Sequence, residues 1–112
     1  MLISETSFVK VELSSLLKAD DAEERCGLVL ASGEIVETSN IAAQPQYSFE
    51  IPPEDMVREG VVATWHTHPG QSANLSHEDY AGFLNWPTLE HHIIGTDGVR
   101  SYRVVDGLIV AQ

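Results

Sequence analysis

The chain has one cysteine in 112 residues. A single thiol allows no internal disulfide, the usage of a reducing compartment, so a cytoplasmic location is expected. Aromatic residues are scarce, 7% against 43% hydrophobic residues overall, so the core is expected to be built from Val, Ile, Leu and Ala. Positive charge is scarce too: 6 Lys and Arg stand against 17 Asp and Glu, a formal net charge of −11. So acidic a chain repels nucleic-acid phosphate and anionic lipid, and no basic patch offsets it. Nucleic acid and membrane are therefore excluded as expected partners. No run of 18 apolar residues occurs, so no transmembrane helix is expected. The first residues carry no basic segment followed by an apolar stretch, so no signal peptide is expected. With no repeat and no low-complexity linker, residues 1–112 are expected to form a single domain. The chain is too short for a (β/α)₈ barrel of about 250 residues. That removes the amidohydrolase reading of the histidine pair described below.

Hydrophobic spacing predicts a mixed α/β chain. Apolar residues at 8, 9, 11, 13, 16 and 17 suit an amphipathic helix over 8–18. Residues 26–31 and 34–38 read as strands joined by Ser32-Gly33, and 47–51 as a short strand. Pro52-Pro53-Glu54-Asp55 opens a short helix, with proline and acids in its first turn. A β-branched, apolar strand follows over 61–68, then a helix over 77–85 that Trp86-Pro87 stops. Strands at 92–95, 99–105 and 108–111 are separated by Asp97-Gly98 and Asp106-Gly107 turns.

The densest chemistry lies between residues 66 and 79. His66-Thr67-His68-Pro69 ends the apolar strand, and Ser76-His77-Glu78-Asp79 opens the next helix. On a strand, residues i and i+2 share a face, so His66 and His68 project together. Two imidazoles and one carboxylate leave a coordination position open, the pattern of a catalytic zinc rather than a structural one. Alone, a His-x-His pair is a weak signal, equally met on edge strands. Ser76 also suits an N-cap, and Asp79 the positive end of that helix. The two readings are compatible, because a cap would hold Asp79 on a rigid first turn.

A catalytic zinc needs a base to take a proton from water. The candidate is Glu24, just before the apolar strand that starts at Cys26, with Glu23 next in line. Local sequence alone reads Glu23 and Glu24 as part of a solvated charged run, 20–25. Cys26 reads as a buried thiol, since no neighbouring residue would lower its pKa. His77 is expected to point away from the site. His91 and His92 read as ordinary residues at the start of a strand, and neither is assigned to a metal.

Taken together, Glu24-Arg25-Cys26-Gly27, His66-Thr67-His68-Pro69 and Ser76-His77-Glu78-Asp79 resemble the JAMM motif of the MPN (JAB) domain metalloproteases. The resemblance covers roughly residues 8 to 105 and includes Asn40-Ile41 and the stretch Tyr47 to Pro52. It is greatest with small prokaryotic and phage members, particularly the JAB part of lambda-like phage tail assembly proteins. Thr67 replaces the common Ser between the histidines, on the side expected to face away from the metal. The resemblance implies a curved mixed β-sheet flanked by two to three helices, related to the cytidine-deaminase-like architecture. It implies one Zn2+ per chain on His66, His68 and Asp79, Glu24 as the base that activates metal-bound water, and Ser76 as an oxyanion donor. The implied activity is hydrolysis of a peptide or isopeptide bond in phage tail assembly or protein processing. The alternatives are a non-catalytic MPN-like assembly module and deubiquitinase-like removal of a ubiquitin-like tail. The implied partner is a protein or peptide substrate, tail-assembly and ubiquitin-like proteins included.

Overall fold

A computed structural model describes residues 12–18 and 20–112 of the chain. Of the helix expected over 8–18, residues 8–11 lie outside the described residues, and Glu12 to Ser14 are helical. The remaining elements are β1 (Cys26–Leu30), β2 (Ile35–Thr38), α1 (Pro53–Met56), β3 (Val61–Thr67), α2 (His77–Leu84), β4 (Glu90–Gly95), β5 (Gly98–Val105) and β6 (Leu108–Ala111). The strands form one six-stranded sheet in the order β2-β1-β3-β4-β5-β6. Every neighbouring pair is antiparallel except β3 and β4, which run parallel because α2 carries the chain across between them. Short turns join β1 to β2, β4 to β5 and β5 to β6, while residues 39–60, with α1, carry the chain from β2 to β3. Between β5 and β6, Asp106 and Gly107 both take positive φ, 51° and 77°, the pair of angles that a two-residue hairpin turn matched to strand twist requires.

Strand pleating divides the apolar residues between two faces. On one face Val29, Ala63, Trp65 and Ile94 pack against Leu13, with Leu16 and Leu17 at the margin. On the other, Cys26 and Leu28 pack on Ile51, Met56 and Leu89, while Ile93 and Tyr102 pack on Ala73 and Phe83. Burying each such side chain stabilises by about 1.5–3 kcal/mol. The scarce aromatics are concentrated rather than spread, with Phe49, Phe83 and Trp86 all on this second face. Among the described residues no helix is long and apolar enough to cross a membrane.

Two expectations need correction. Tyr47 to Ile51 is not a strand. Its alternation is real, but the Asn40 side chain takes its backbone groups in place of a ladder: Nδ2 donates to Ser48 O at 3.0 Å, and Oδ1 accepts from Glu50 N at 3.0 Å. In addition, β4 begins at Glu90 rather than at 92, so His91 and His92 lie inside the strand and are 1% and 3% exposed. Their side chains therefore fall on opposite faces of the sheet.

Candidate metal centre

His66 lies opposite Cys26 of β1 and Ile93 of β4, which leaves its ring fully buried. His68 follows the last residue of β3, and its N–H extends the ladder to Ile94 O at 2.8 Å. Thr67 between them points to the other face, where its hydroxyl accepts from Arg25 N at 2.9 Å. The two imidazoles thus share a face, and their Nε2 atoms are 3.1 Å apart.

Asp79 reaches them from α2. Ser76 is the N-cap of that helix, and the two residues form a reciprocal capping box. Ser76 Oγ accepts from Asp79 N at 3.1 Å, and Ser76 N donates to Asp79 Oδ2 at 3.2 Å. The cap fixes the carboxylate so that Oδ1 lies 3.0 Å from His66 Nε2 and Oδ2 3.1 Å from His68 Nε2. Ligand atoms of a four-coordinate site with bonds of 2.0–2.1 Å are roughly 3.3 Å apart, so each of these separations is of the size such a site needs.

Glu24 closes the group from the β1 side. Its N–H donates to Pro45 O at 2.8 Å, and its carbonyl accepts from Asn40 Nδ2 at 2.8 Å. Asn40 therefore holds both Glu24 and the 48–50 segment. Glu24, His66 and His68 are all buried, and each offers a ligand atom within 4.8 Å of the others. Two three-residue sets thus overlap on the histidines, with Asp79 in the tighter one.

Proton counting favours a cation here. His68 Nδ1 lies 2.9 Å from the Ser72 carbonyl, which only accepts, so Nδ1 carries the proton and Nε2 is left as a lone-pair end for a neutral ring. That end faces another imidazole nitrogen and a carboxylate. Glu24 Oε1 and His66 Nδ1 are buried without a hydrogen-bond partner among the described residues. The His68 lone pair, the Asp79 carboxylate and Glu24 Oε1 are thus crowded, buried acceptors, which is costly unless a proton or a cation joins them. The donor set, two imidazoles with carboxylates, suits a zinc-like ion.

The electrostatics follow from burial and proximity. Burial lifts the Glu24 carboxyl to about 7; the His68 charge opposes this, and Asp79 and Glu78 add to it. Burial tends to raise Asp79, but hydrogen bonds from His66 and His68 prevail and hold it well below the usual carboxylate range. Burial lowers His66 and outweighs the help of Asp79. Burial also acts to lower His68, yet the Asp79 and Ser72 hydrogen bonds prevail and raise it.

The structure therefore brings together Glu24, His66, His68, Asp79 and Ser76. Glu23 and His77 are exposed and stand outside the group. Cys26 is fully buried, and burial pushes its thiol up to about 11, the opposite of an activated nucleophile. Sequence reasoning missed two contributors. Phe49 stacks on the His66 ring at a centroid distance of 4.0 Å, and Ser72 acts through its backbone carbonyl. Neither carries a sequence signal, since stacking depends on how a loop folds and any residue supplies a carbonyl.

No curated protein matches the chain. Residues 9–105 match the family described as prokaryotic homologs of the JAB domain. That match spans well over half of the 112 residues, and the mixed six-stranded sheet agrees with it. The chain belongs to the prokaryotic JAB-domain family.

Proposed function

We propose that the chain is a zinc-dependent hydrolase of peptide or isopeptide bonds, acting in the cytoplasm on a protein or peptide substrate. The observation that carries this reading is the convergence of His66 Nε2, His68 Nε2 and the Asp79 carboxylate within 3.1 Å of one another beside the unpartnered Glu24 oxygen. His66, His68 and Asp79 would hold the ion. When bound, zinc acts as a Lewis acid and lowers the pKa of a water toward 7.

The chain's own residues supply the rest. Glu24 takes the proton of the attacking water at its unpartnered Oε1 and passes it to the leaving amine. Its carboxyl, lifted to about 7, is matched to moving a proton in both directions near neutral pH. The Ser76 hydroxyl spends a lone pair on Asp79 N, so its own proton is free to donate to the developing oxyanion. Phe49 covers the His66 ring and keeps water from that side. The Ser72 carbonyl holds the His68 tautomer, as partners behind metal-bound histidines commonly do.

The test is zinc stoichiometry joined to cleavage of a panel of ubiquitin-like fusions, phage tail proteins and peptidoglycan peptides. About one zinc per chain and chelator-sensitive cleavage of one substrate class is expected. A metal-free chain that cleaves nothing after zinc addition leaves an assembly module in place of an enzyme.

A further inference from the structure

Beside Asp79 the site opens into a cleft of about 240 Å³ between α2, the 47–56 segment and the sheet. Its floor is Thr64 and His91, and its walls include Phe49, Met56, Phe83 and Trp86. The floor is polar but closed. His91 Nε2 faces the Trp86 carbonyl at 3.1 Å and must donate to it, so Nδ1 accepts the Thr64 hydroxyl proton at 2.7 Å. Both His91 nitrogens and the Thr64 proton are thus engaged, and Phe83 stacks on the His91 ring at 4.2 Å. Three carboxylates also line the cleft, but Asp79 is engaged by His66 and His68, and Glu50 and Glu78 are exposed. A charged side chain reaching the His91 floor would therefore lose its hydration there, whereas an apolar one would gain by burial against Phe49, Met56, Phe83 and Trp86.

Two further observations point to an occupant. Tyr47 stands at the rim 74% exposed, a large aromatic that adds nothing to the core and is placed to cover a bound group. Gly82 of α2 also lines the cleft, and a Cβ built there meets nothing within 4 Å. Glycine inside a helix is disfavoured relative to alanine, and no neighbour requires it at this position. The missing side chain leaves the cleft wide. The volume falls below the roughly 300–1,000 Å³ of pockets for whole small molecules and suits a single side chain.

We propose that this cleft is a specificity pocket for one large apolar or aromatic side chain of the substrate, next to the scissile bond, with Gly82 setting its width. As a substrate pocket it rests on the hydrolase reading above, with which it shares Asp79 as a wall. As a side-chain-selective cleft it can be tested without turnover.

In the first measurement, N-acetyl-phenylalaninamide, N-acetyl-leucinamide and N-acetyl-glycinamide are titrated into the metal-free chain while NMR follows the Trp86 indole and the Gly82 amide. The phenylalanine and leucine probes should shift both signals, and the glycine probe neither. Gly82→Leu should weaken the phenylalanine probe at least tenfold. Gly82→Ala, the milder change, should weaken it by a smaller factor and keeps the test available if Gly82→Leu fails to fold. In the second measurement, the zinc-loaded chain is profiled on peptides varied one residue at a time on each side of the cleaved bond. One flanking position should favour Phe, Tyr and Leu, and Gly82→Leu should reverse that preference toward Ala and Gly by tenfold or more. Equal response to the three probes, or cleavage whose profile Gly82→Leu does not alter, overturns the pocket while leaving the hydrolase. Selective probe binding in a chain that cleaves nothing supports the pocket and overturns the hydrolase.

Discussion

Each face of the sheet buries a polar network that includes histidine, and the two networks differ in how their protons are shared. On the back face, His92 Nδ1 and Ser101 Oγ are 2.7 Å apart, His92 Nε2 faces Glu90 Oε1 at 3.5 Å, and Glu90 Oε2 accepts from Arg103 at 2.8 Å. Donors and acceptors are balanced there, and a cation is present in Arg103. On the front face, His66 Nε2, His68 Nε2 and the Asp79 carboxylate converge, the neutral His68 ring offers only a lone pair there, and Glu24 Oε1 has no partner among the described residues. Both places pair buried imidazole with carboxylate, but the back network ends on the half-exposed Arg103, whereas Glu24, His66, His68 and Asp79 are all buried. What sets the candidate metal centre apart is a surplus of acceptors. A balanced network rigidifies the sheet, and an unbalanced one is completed by a bound ion.

The sharpest way to break this comparison is to truncate one histidine from each network. His68→Ala should take zinc from about one per chain to near zero and abolish turnover, because three protein ligands become two. His92→Ala should leave zinc unchanged and cost about 1–3 kcal/mol of stability through the partners it strands. Elemental analysis and thermal melts read both, and equal zinc loss in the two variants would remove the distinction. Next in size is the base. Glu24→Gln should keep zinc and fold but lose about 10²–10⁴-fold in kcat, whereas Ser76→Ala should lose on the order of 10²-fold. Zinc loss in Glu24→Gln would make Glu24 a ligand of a closed site.

The pH dependence of the metal-free chain sharpens the same contrast. Burial raises Glu24 from 4.5 to about 7, so between those values the folded chain holds a proton that the unfolded chain has released. Stability should therefore be full below pH 4.5 and fall as pH rises toward 7, by at most about 3 kcal/mol. Glu24→Gln should flatten that part of the melting profile, and a wild-type profile flat over the same window would place Glu24 in water. Zinc binding has the opposite sign, strengthening as pH rises through about 6.5, because its ligands must be deprotonated. The smallest effect is expected at Cys26. Cys26→Ala should retain zinc and activity with a loss of about 1–2 kcal/mol, and the native thiol should alkylate slowly. Rapid alkylation that stops turnover would replace the metal chemistry with thiol chemistry.

Most of the sheet was legible because its strands are β-branched runs bounded by turn residues, and α2 because Ser76 and Asp79 announce its start. The 47–51 segment misled because side-chain alternation does not say which groups satisfy the backbone, and Asn40 supplies them from eight and ten residues away. His91 and His92 looked alike in sequence. Only the register places one on the floor of the front cleft and the other in the balanced back network. Among the candidate site residues, Glu24 was least legible locally, since a solvated acid run and a buried carboxylate differ only in what the chain folds over them. The family resemblance identified it, and its two backbone hydrogen bonds to the 40–45 segment give the physical cause of its burial.

The parallel pairing of β3 and β4 has a consequence for the order in which the molecule assembles. His66, His68 and Asp79 all belong to the single strand–helix unit that α2 completes, and His68 and Asp79 are only 11 residues apart. Bringing β1 onto β3 requires a longer closure, since the Arg25–Thr67 bond that pins their ends spans 42 residues. On loop-closure entropy alone the longer link costs about 1 kcal/mol more. His66, His68 and Asp79 can thus come together within one local unit while Glu24 is still remote. On the function proposed above, docking of β1, with Glu24 just ahead of it, would be the step that completes the site.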